Sequence, residues 1–390
     1  MTDENYASSH PTVRISAKRF QRSPFADKYE TADTVFGVYA HRFYPLGAGG
    51  SPVDDYWHLR RSVSLFDVPE RPIEIKGRDS VALLEKVFTR TIGTLKPNRA
   101  RYAIACLPDG GILMDGVLMR LGPDRFWYVQ ADGEFDLWLR AQAHGLDVEI
   151  ADPNSWVLQV QGPKALEALQ AVVDGEAPEM GYFHTAFVTI GGQNLLISRT
   201  GWTGEMGFEI YTQGAETDCA ALWDHLIARG EPLGLRFASL ESMGIRRIEA
   251  GILDNGSDMN SSMTPYATGL GAFVELDKPG FIGREALDAA PTSQRLFGLQ
   301  CDTAIPFAEL HVLAGGKTVG TMTAGAWSPY LGRGVGYVCF ADAGDWIGRE
   351  LTLQSRDGSA HQCKVVSLPF YDAAKEIPRG LDRSVPERRD

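Results

Sequence analysis

Residues 197–211 read ISRTGWTGEMGFEIY. An alternating apolar run, ISRT, enters a turn, and alternation resumes in GFEIY. That pattern predicts two antiparallel strands joined by a hairpin. The turn is unusual in composition. It holds Gly201, Gly204 and Gly207, a tryptophan at 202, and the acids Glu205 and Glu209 in or just beyond it. A tight hairpin needs one or two glycines at positive φ. Three imply that the backbone must also come unusually close to something.

Working outward, the chain of 390 residues is too long for one ordinary core and implies two or three domains. At 44% hydrophobic and 23% charged it has the balance of a globular protein. No apolar run is long enough for a membrane helix, and the polar start MTDENYASSHPTVR lacks a secretory h-region. The five cysteines are scattered and odd in number, with no C-x-x-C. They predict neither a disulfide framework nor a zinc cluster, and they suit a reducing cytoplasm, the expected location. A net charge of −12 disfavours nucleic acid and anionic membrane as partners. No obligate protein partner is evident.

Periodicity predicts a helix over 53–66 after a mobile GG/GS stretch at 49–52, with Asp54 and Asp55 suited to its N-terminus. RPIEIKG (71–77) reads as a strand and DSVALLEKVFTR as an amphipathic helix with Asp79 as N-cap. Three strands follow, the first two joined at Asp109-Gly110-Gly111. Then come a helix, a strand, and a strand–helix unit through VQGPKA. The order β-α-β-β-β-α-β, then β-α, is that of an α+β fold, not of a doubly wound sheet. No G-x-G-x-x-G, P-loop, H-E-x-x-H or G-x-S-x-G pattern is present. Residues 295–367 change texture to short alternating runs and predict a separate antiparallel barrel or sandwich. The charged, proline-bearing end from 376 predicts disorder.

Eight stretches in order, LFDVPERPIEIKG, GGILMDGVLMR, VQGPKA, RTGWTGEMGFEIY, RRIEAGI, MTPYATGLGAFVEL, GFIGREAL and AWSPYLGRGVGYV, resemble the folate-dependent methyl and aminomethyl transferases typified by the glycine cleavage T-protein. RSPFADKYE and DDYWHLRRSVSLFDV resemble its dimethylsulfoniopropionate demethylase branch more closely. The resemblance implies three domains in a ring around a folate channel. Residues 1–290 form the folate-binding α+β region, with roughly 71–154 inserted between 1–70 and 155–290. Residues 291–375 form the barrel, and 376–390 a tail. The implied activity is transfer of a methyl group from a small methylated metabolite, a sulfonium or an N- or O-methyl compound, to tetrahydrofolate. The alternatives are T-protein-type aminomethyl transfer and folate binding without turnover.

The resemblance also implies site residues. Glu209 falls where the family's glutamate accepts pterin N–H groups, chemistry that a two-oxygen acceptor suits. Trp202 stands at a usual tyrosine beside the ligand, and Tyr102 and Gln130 at positions near the folate. Asp115 falls on the catalytic aspartate; the competing reading is an aspartate bonding locally at a strand end. Met114, where T-proteins have a second acid, reads as an apolar pocket wall for a methyl group or as core filling. Tyr102 could equally be a core aromatic, and Glu205 reads as a turn residue. Met243 replaces a family arginine, which points away from the T-protein donor, whereas Thr203-Gly204-Glu205-Met206 follows the T-protein turn. No metal site is expected.

Overall fold

In a computed structural model residues 17–388 are described. The N-terminal stretch read above for a leader lies outside them.

A five-stranded antiparallel sheet has the spatial order Arg99–Cys106, Ile112–Gly122, Arg125–Gln130, Arg71–Lys76, Glu149–Ala151. A six-stranded sheet takes its strands from both sides of that stretch, in the order Thr185–Ile190, Gln193–Ser198, Gly207–Tyr211, Val157–Gln161, Val63–Val68, Leu235–Phe237. Only its last pair is parallel. The two sheets meet through one apolar cluster, in which Phe66, Val157, Leu196 and Tyr211 from the larger sheet face Ala100, Met119, Trp127 and Val129 from the smaller. Six strands between Leu296 and Val366 close into an antiparallel barrel, so that no strand edge is left unpaired. A separate hairpin, Thr34–Tyr39 with Arg42–Ala48, precedes all of these. The fold is therefore α+β with a C-terminal antiparallel barrel.

Several local expectations change. The helix is Pro52–Arg61, and Val63–Val68 is a fully buried strand. A buried strand lacks polar alternation, so periodicity alone merged it with the helix. The GG/GS stretch ends in a helix cap: Ser51 accepts a hydrogen bond from the Asp54 N–H, with Pro52 in the first turn and Asp54 and Asp55 behind it. Asp79 makes no side-chain cap; its Oδ2 accepts instead from the Asp147 N–H at 2.9 Å. The start of the tail is ordered. Glu376–Arg379 form a helical turn with Pro378 buried, its carbonyl accepting from Arg199, and Arg388 pairs with Asp54 at 2.6 Å. Composition had no means of showing these long-range contacts.

Candidate active site

The turn that opened the reading is close to the protein itself. A Cβ at Gly201 or Gly207 would overlap the carboxamide of Gln161, on the neighbouring strand Val157–Gln161. Gly204 sits at φ +67°, against Ala250 and Arg246. At these positions the glycines make room for packing between elements. Glu205 is not a simple turn residue either. It is buried and receives hydrogen bonds from Arg60 and, at 2.8 Å, from Arg246 of the helix Leu240–Glu249. Arg246 also donates to the Gly204 carbonyl. On the same helix, Glu249 accepts from Tyr56, Ser328 and Tyr371, linking the turn, two helices, the barrel and the segment after it.

Asp115 stands in a different environment. It lies in the strand Ile112–Gly122 opposite Ile104 and is 8% exposed. Its Oδ2 accepts from the Tyr102 hydroxyl at 2.9 Å, and Tyr102 is held edge-on by Phe273. Its Oδ1 is enclosed and short of a full hydrogen bond, with the Asn255 amide, likewise short of one, beside it and close enough to stabilise the charge. Burial pushes the carboxyl up to about 6; hydrogen bonding with Tyr102 and Asn255 opposes the shift, and the charge of Asp254 adds to it. Asn255 was missed by the sequence reading. The signal was the Asn-Gly turn following an aspartate, "LDNG".

Successive strand residues point to opposite faces, so Met114 points away from Asp115. It is 3% exposed among Leu84, Phe135 and Leu118, and its Cε lies against Gly133. The structure therefore corrects its assignment to the substrate pocket: Met114 fills the core. Gln130 lies on the adjacent strand opposite Gly116, and its Oε1 accepts from the Phe135 N–H, capping the helix that starts there. Ala131 N–H donates to the Asp115 carbonyl at 3.2 Å.

Glu209 is buried and held by three donors. Gln159 donates to Oε1 at 2.9 Å, and the hydroxyls of Thr200 and Tyr211 donate to Oε2. Burial raises its pKa against those two hydroxyl bonds. Four lone-pair sites minus three donors leave room on Oε1 for one further donor. The nearby Glu70 is pushed up to about 8, first by burial and then by the charge of Glu209. Trp202 is half-buried and carries the Arg247 guanidinium 5.2 Å from its ring centre, while Arg247 is paired with Asp258. Met243 is 1% exposed and packs with Leu59, Phe66 and Trp127 between the sheets, so the helix sends no cation from that position. Asp115 and Tyr102 are thus in direct contact and Gln130 lies on the adjacent strand, whereas Glu209 belongs to the other sheet and Trp202 stacks with Arg247.

Among the described residues no cluster of three or more His, Cys, Asp or Glu side chains could hold a metal ion, and no helix is long and apolar enough to cross a membrane.

A two-sheet α+β body with a C-terminal barrel, holding a buried aspartate with one orphaned oxygen, defines a class that the comparisons specify. Residues 35–278 match the GCVT N-terminal domain, and residues 294–372 match the glycine cleavage T-protein C-terminal barrel domain. The chain belongs to the glycine cleavage T-protein family. An aminomethyltransferase of Moorella thermoacetica is 34% identical, with 84% of this chain and 91% of that protein covered. A trimethylamine-oxide aldolase of Ruegeria pomeroyi is 31% identical, with 97% of this chain and 50% of that protein covered. The crystal structure of aminomethyltransferase T from Bartonella henselae superposes with a TM-score of 0.81 at 26% identity, covering 90% of this chain and 98% of that one.

Proposed function

We propose that this protein is a one-carbon transferase that moves a methyl group from a small methylated donor to tetrahydrofolate. The observation that carries the reading is Asp115: a carboxylate in a closed site, one oxygen held by Tyr102 and the other approached only by the Asn255 amide, without a full hydrogen bond. Buried polar groups are ordinarily paired. An acceptor and a donor that meet only loosely can open to a ligand offering both an N–H and an acceptor, as a reduced pterin does. Glu209 Oε1 can take one more pterin N–H, and Trp202 offers an aromatic wall. Tetrahydrofolate supplies the nucleophilic nitrogen that receives the carbon.

The chain's own contribution is to exclude water, align the two partners and hold the released proton at Asp115 Oδ1. With its carboxyl raised to about 6, Asp115 is largely ionised at neutral pH yet close enough to neutrality to exchange a proton. A sulfonium or quaternary ammonium donor is already activated, and its leaving atom departs neutral. An ether or tertiary amine would need protonation, and Asp115 is the acid placed to provide it. Aminomethyl transfer is a second reading, favoured by relatives such as the Moorella protein that bear that name. Met243, where that branch is expected to carry arginine, weighs against it.

The test is to offer purified protein tetrahydrofolate with S-, N- and O-methyl donors and to follow 5-methyl-tetrahydrofolate. Formation of 5,10-methylene-tetrahydrofolate from an aminomethyl-lipoyl carrier would establish the second reading. Folate binding without product from any donor would mean a binding protein.

A further inference from the structure

Beyond the barrel the chain turns back over the glycine-rich hairpin. Phe370 still belongs to an apolar cluster: its N–H donates to the Glu249 carbonyl and its ring lies parallel to that of Tyr337. Tyr371 is pinned next. Its hydroxyl donates to Glu249 Oε2 at 2.6 Å, and the Arg60 and Arg246 guanidinium groups lie over its ring. From there the backbone crosses the hairpin. The Pro378 carbonyl accepts from Arg199, and Gly380 lies against Arg199 and Met206. Those two residues stand on either side of Trp202 in the sequence.

Beneath this crossing is a cavity of about 30 Å³, room for one or two waters. Tyr182, Gly201 and Gly204 line its inner wall, and Asp372, Lys375 and Pro378 its outer wall. The cavity borders the folate side of the candidate site. Trp202 falls between its two glycines, and Tyr182 is close enough to Glu209 that burial, and then the Glu209 charge, push the phenol up to about 12. Arg246 Nη1 also reaches this wall. It approaches Glu249 at 3.9 Å but is enclosed without a hydrogen bond, so the closed cavity leaves a donor for what enters it. A pterin is far larger than this space, so one wall must move to admit it.

How each wall is held decides which one moves. The inner wall is packed from behind, Gly201 on Gln161 and Gly204 on Ala250. The outer wall is tied lightly. Among the described residues from 371 to 388 only Pro378 is buried, and none of them joins an apolar cluster. The Arg199 bond to the strap is 3.4 Å long, and the Asp54–Arg388 pair sits with both side chains about half exposed, where ion pairs contribute little. Asp372 and Lys375 hold φ of 56° and 52°, a conformation that costs energy in residues other than glycine. The strap keeps its shape largely by itself: Asp372 accepts from the Glu376 and Ile377 N–H groups at 2.7 and 3.0 Å. A surface segment with few buried contacts and strained backbone opens before the core does.

We propose that residues 372–388 are a strap, hinged after the pinned Tyr371, that shuts the mouth leading to Trp202 and Glu209 and gates ligand exchange, so that entry and exit both wait on its lifting. That the gated ligand is tetrahydrofolate rests on the one-carbon reading; the motion itself does not.

Stopped-flow mixing of the full chain with tetrahydrofolate, followed by tryptophan fluorescence, tests the gate. The observed association rate should level off as folate concentration rises, at the rate of strap opening. Asp372→Ala unties the turn within the strap, and Arg199→Ala releases Pro378. Each should raise the plateau and the dissociation rate together, about 3- to 30-fold, with Kd changed less than about threefold. A rate that stays proportional to concentration, parental rates in both variants, or a change confined to dissociation overturns the gate. Hydrogen exchange reads the motion without ligand. The hydrogen-bonded amides of Gly380, Leu381 and Asp382 should exchange about tenfold or more faster than those of the barrel strand Arg333–Phe340, and equal protection also overturns the proposal. Should the variants fail to fold, the parent's plateau and exchange decide alone. Absence of folate binding would sink the one-carbon reading, and hydrogen exchange would then decide the strap by itself.

Discussion

Two buried carboxylates, Glu205 and Asp115, lie in the two halves of the molecule and do opposite things. Glu205, in the glycine-rich turn, is met by two arginines and leaves no need for a ligand. Asp115, in the smaller sheet, has one tyrosine on one oxygen and only the loosely placed Asn255 amide beside the other. Both are almost fully enclosed, at 5% and 8% exposure. Burial therefore does not separate architecture from chemistry; the state of the remaining lone pairs does. A satisfied buried ion pair locks elements together, and an unsatisfied buried acceptor waits for a partner.

The largest effect should come from breaking the satisfied side. Glu205→Ala leaves the buried Arg60 without its carboxylate and Arg246 with only the longer 3.9 Å pair to Glu249, so it should cost about 3–5 kcal/mol in denaturant unfolding. A loss under about 1 kcal/mol would show that the arginines find other partners and that the contrast is false.

Asp115→Asn should lower single-turnover rates by about 10², a loss of about 2.7 kcal/mol, without loss of stability. It should also remove a pH dependence. The parent carboxyl titrates near 6 when folded and near 3.9 when unfolded, so between those values the folded state binds more protons. Parent stability then falls as pH rises from about 4 to about 6, by at most about 3 kcal/mol. Unfolding midpoints across that range should decline in the parent relative to Asp115→Asn. Parallel curves would mean that Asp115 is hydrated.

Glu209 lies between the two extremes, with three donors and one open site. Glu209→Gln keeps the shape and removes the charge, and folate affinity measured by titration should fall about tenfold. Unchanged affinity would put Glu209 with Glu205 as architecture. The smallest effect belongs to Tyr102→Phe, which deletes one hydrogen bond worth about 1 kcal/mol. The Asp115 carboxyl should then titrate higher, so the acid limb of the turnover profile should move up by a fraction of a pH unit. An unmoved limb would leave Tyr102 as packing alone.

The sequence by itself determined much of this protein. Alternation and turn residues placed the hairpins at 109–111 and 201–207, the change in texture near 295 marked the barrel, and ordered motifs led to Asp115, Tyr102 and Glu209, because these signals are local or collinear. Only the tertiary structure decided the rest. Periodicity could not divide the helix Pro52–Arg61 from the strand Val63–Val68, since the fully buried strand carries on the apolar pattern of the helix's buried face. It could not show that Gly201 and Gly207 enclose Gln161, or that Glu205 meets arginines about 40 and 145 residues away. Nor could it show that Met114 and Asp115, adjacent in the chain, belong to opposite faces of one strand, the first to the core and the second to the site. Which lone pair is left empty depends on every element that closes around it, and no local pattern carries that information.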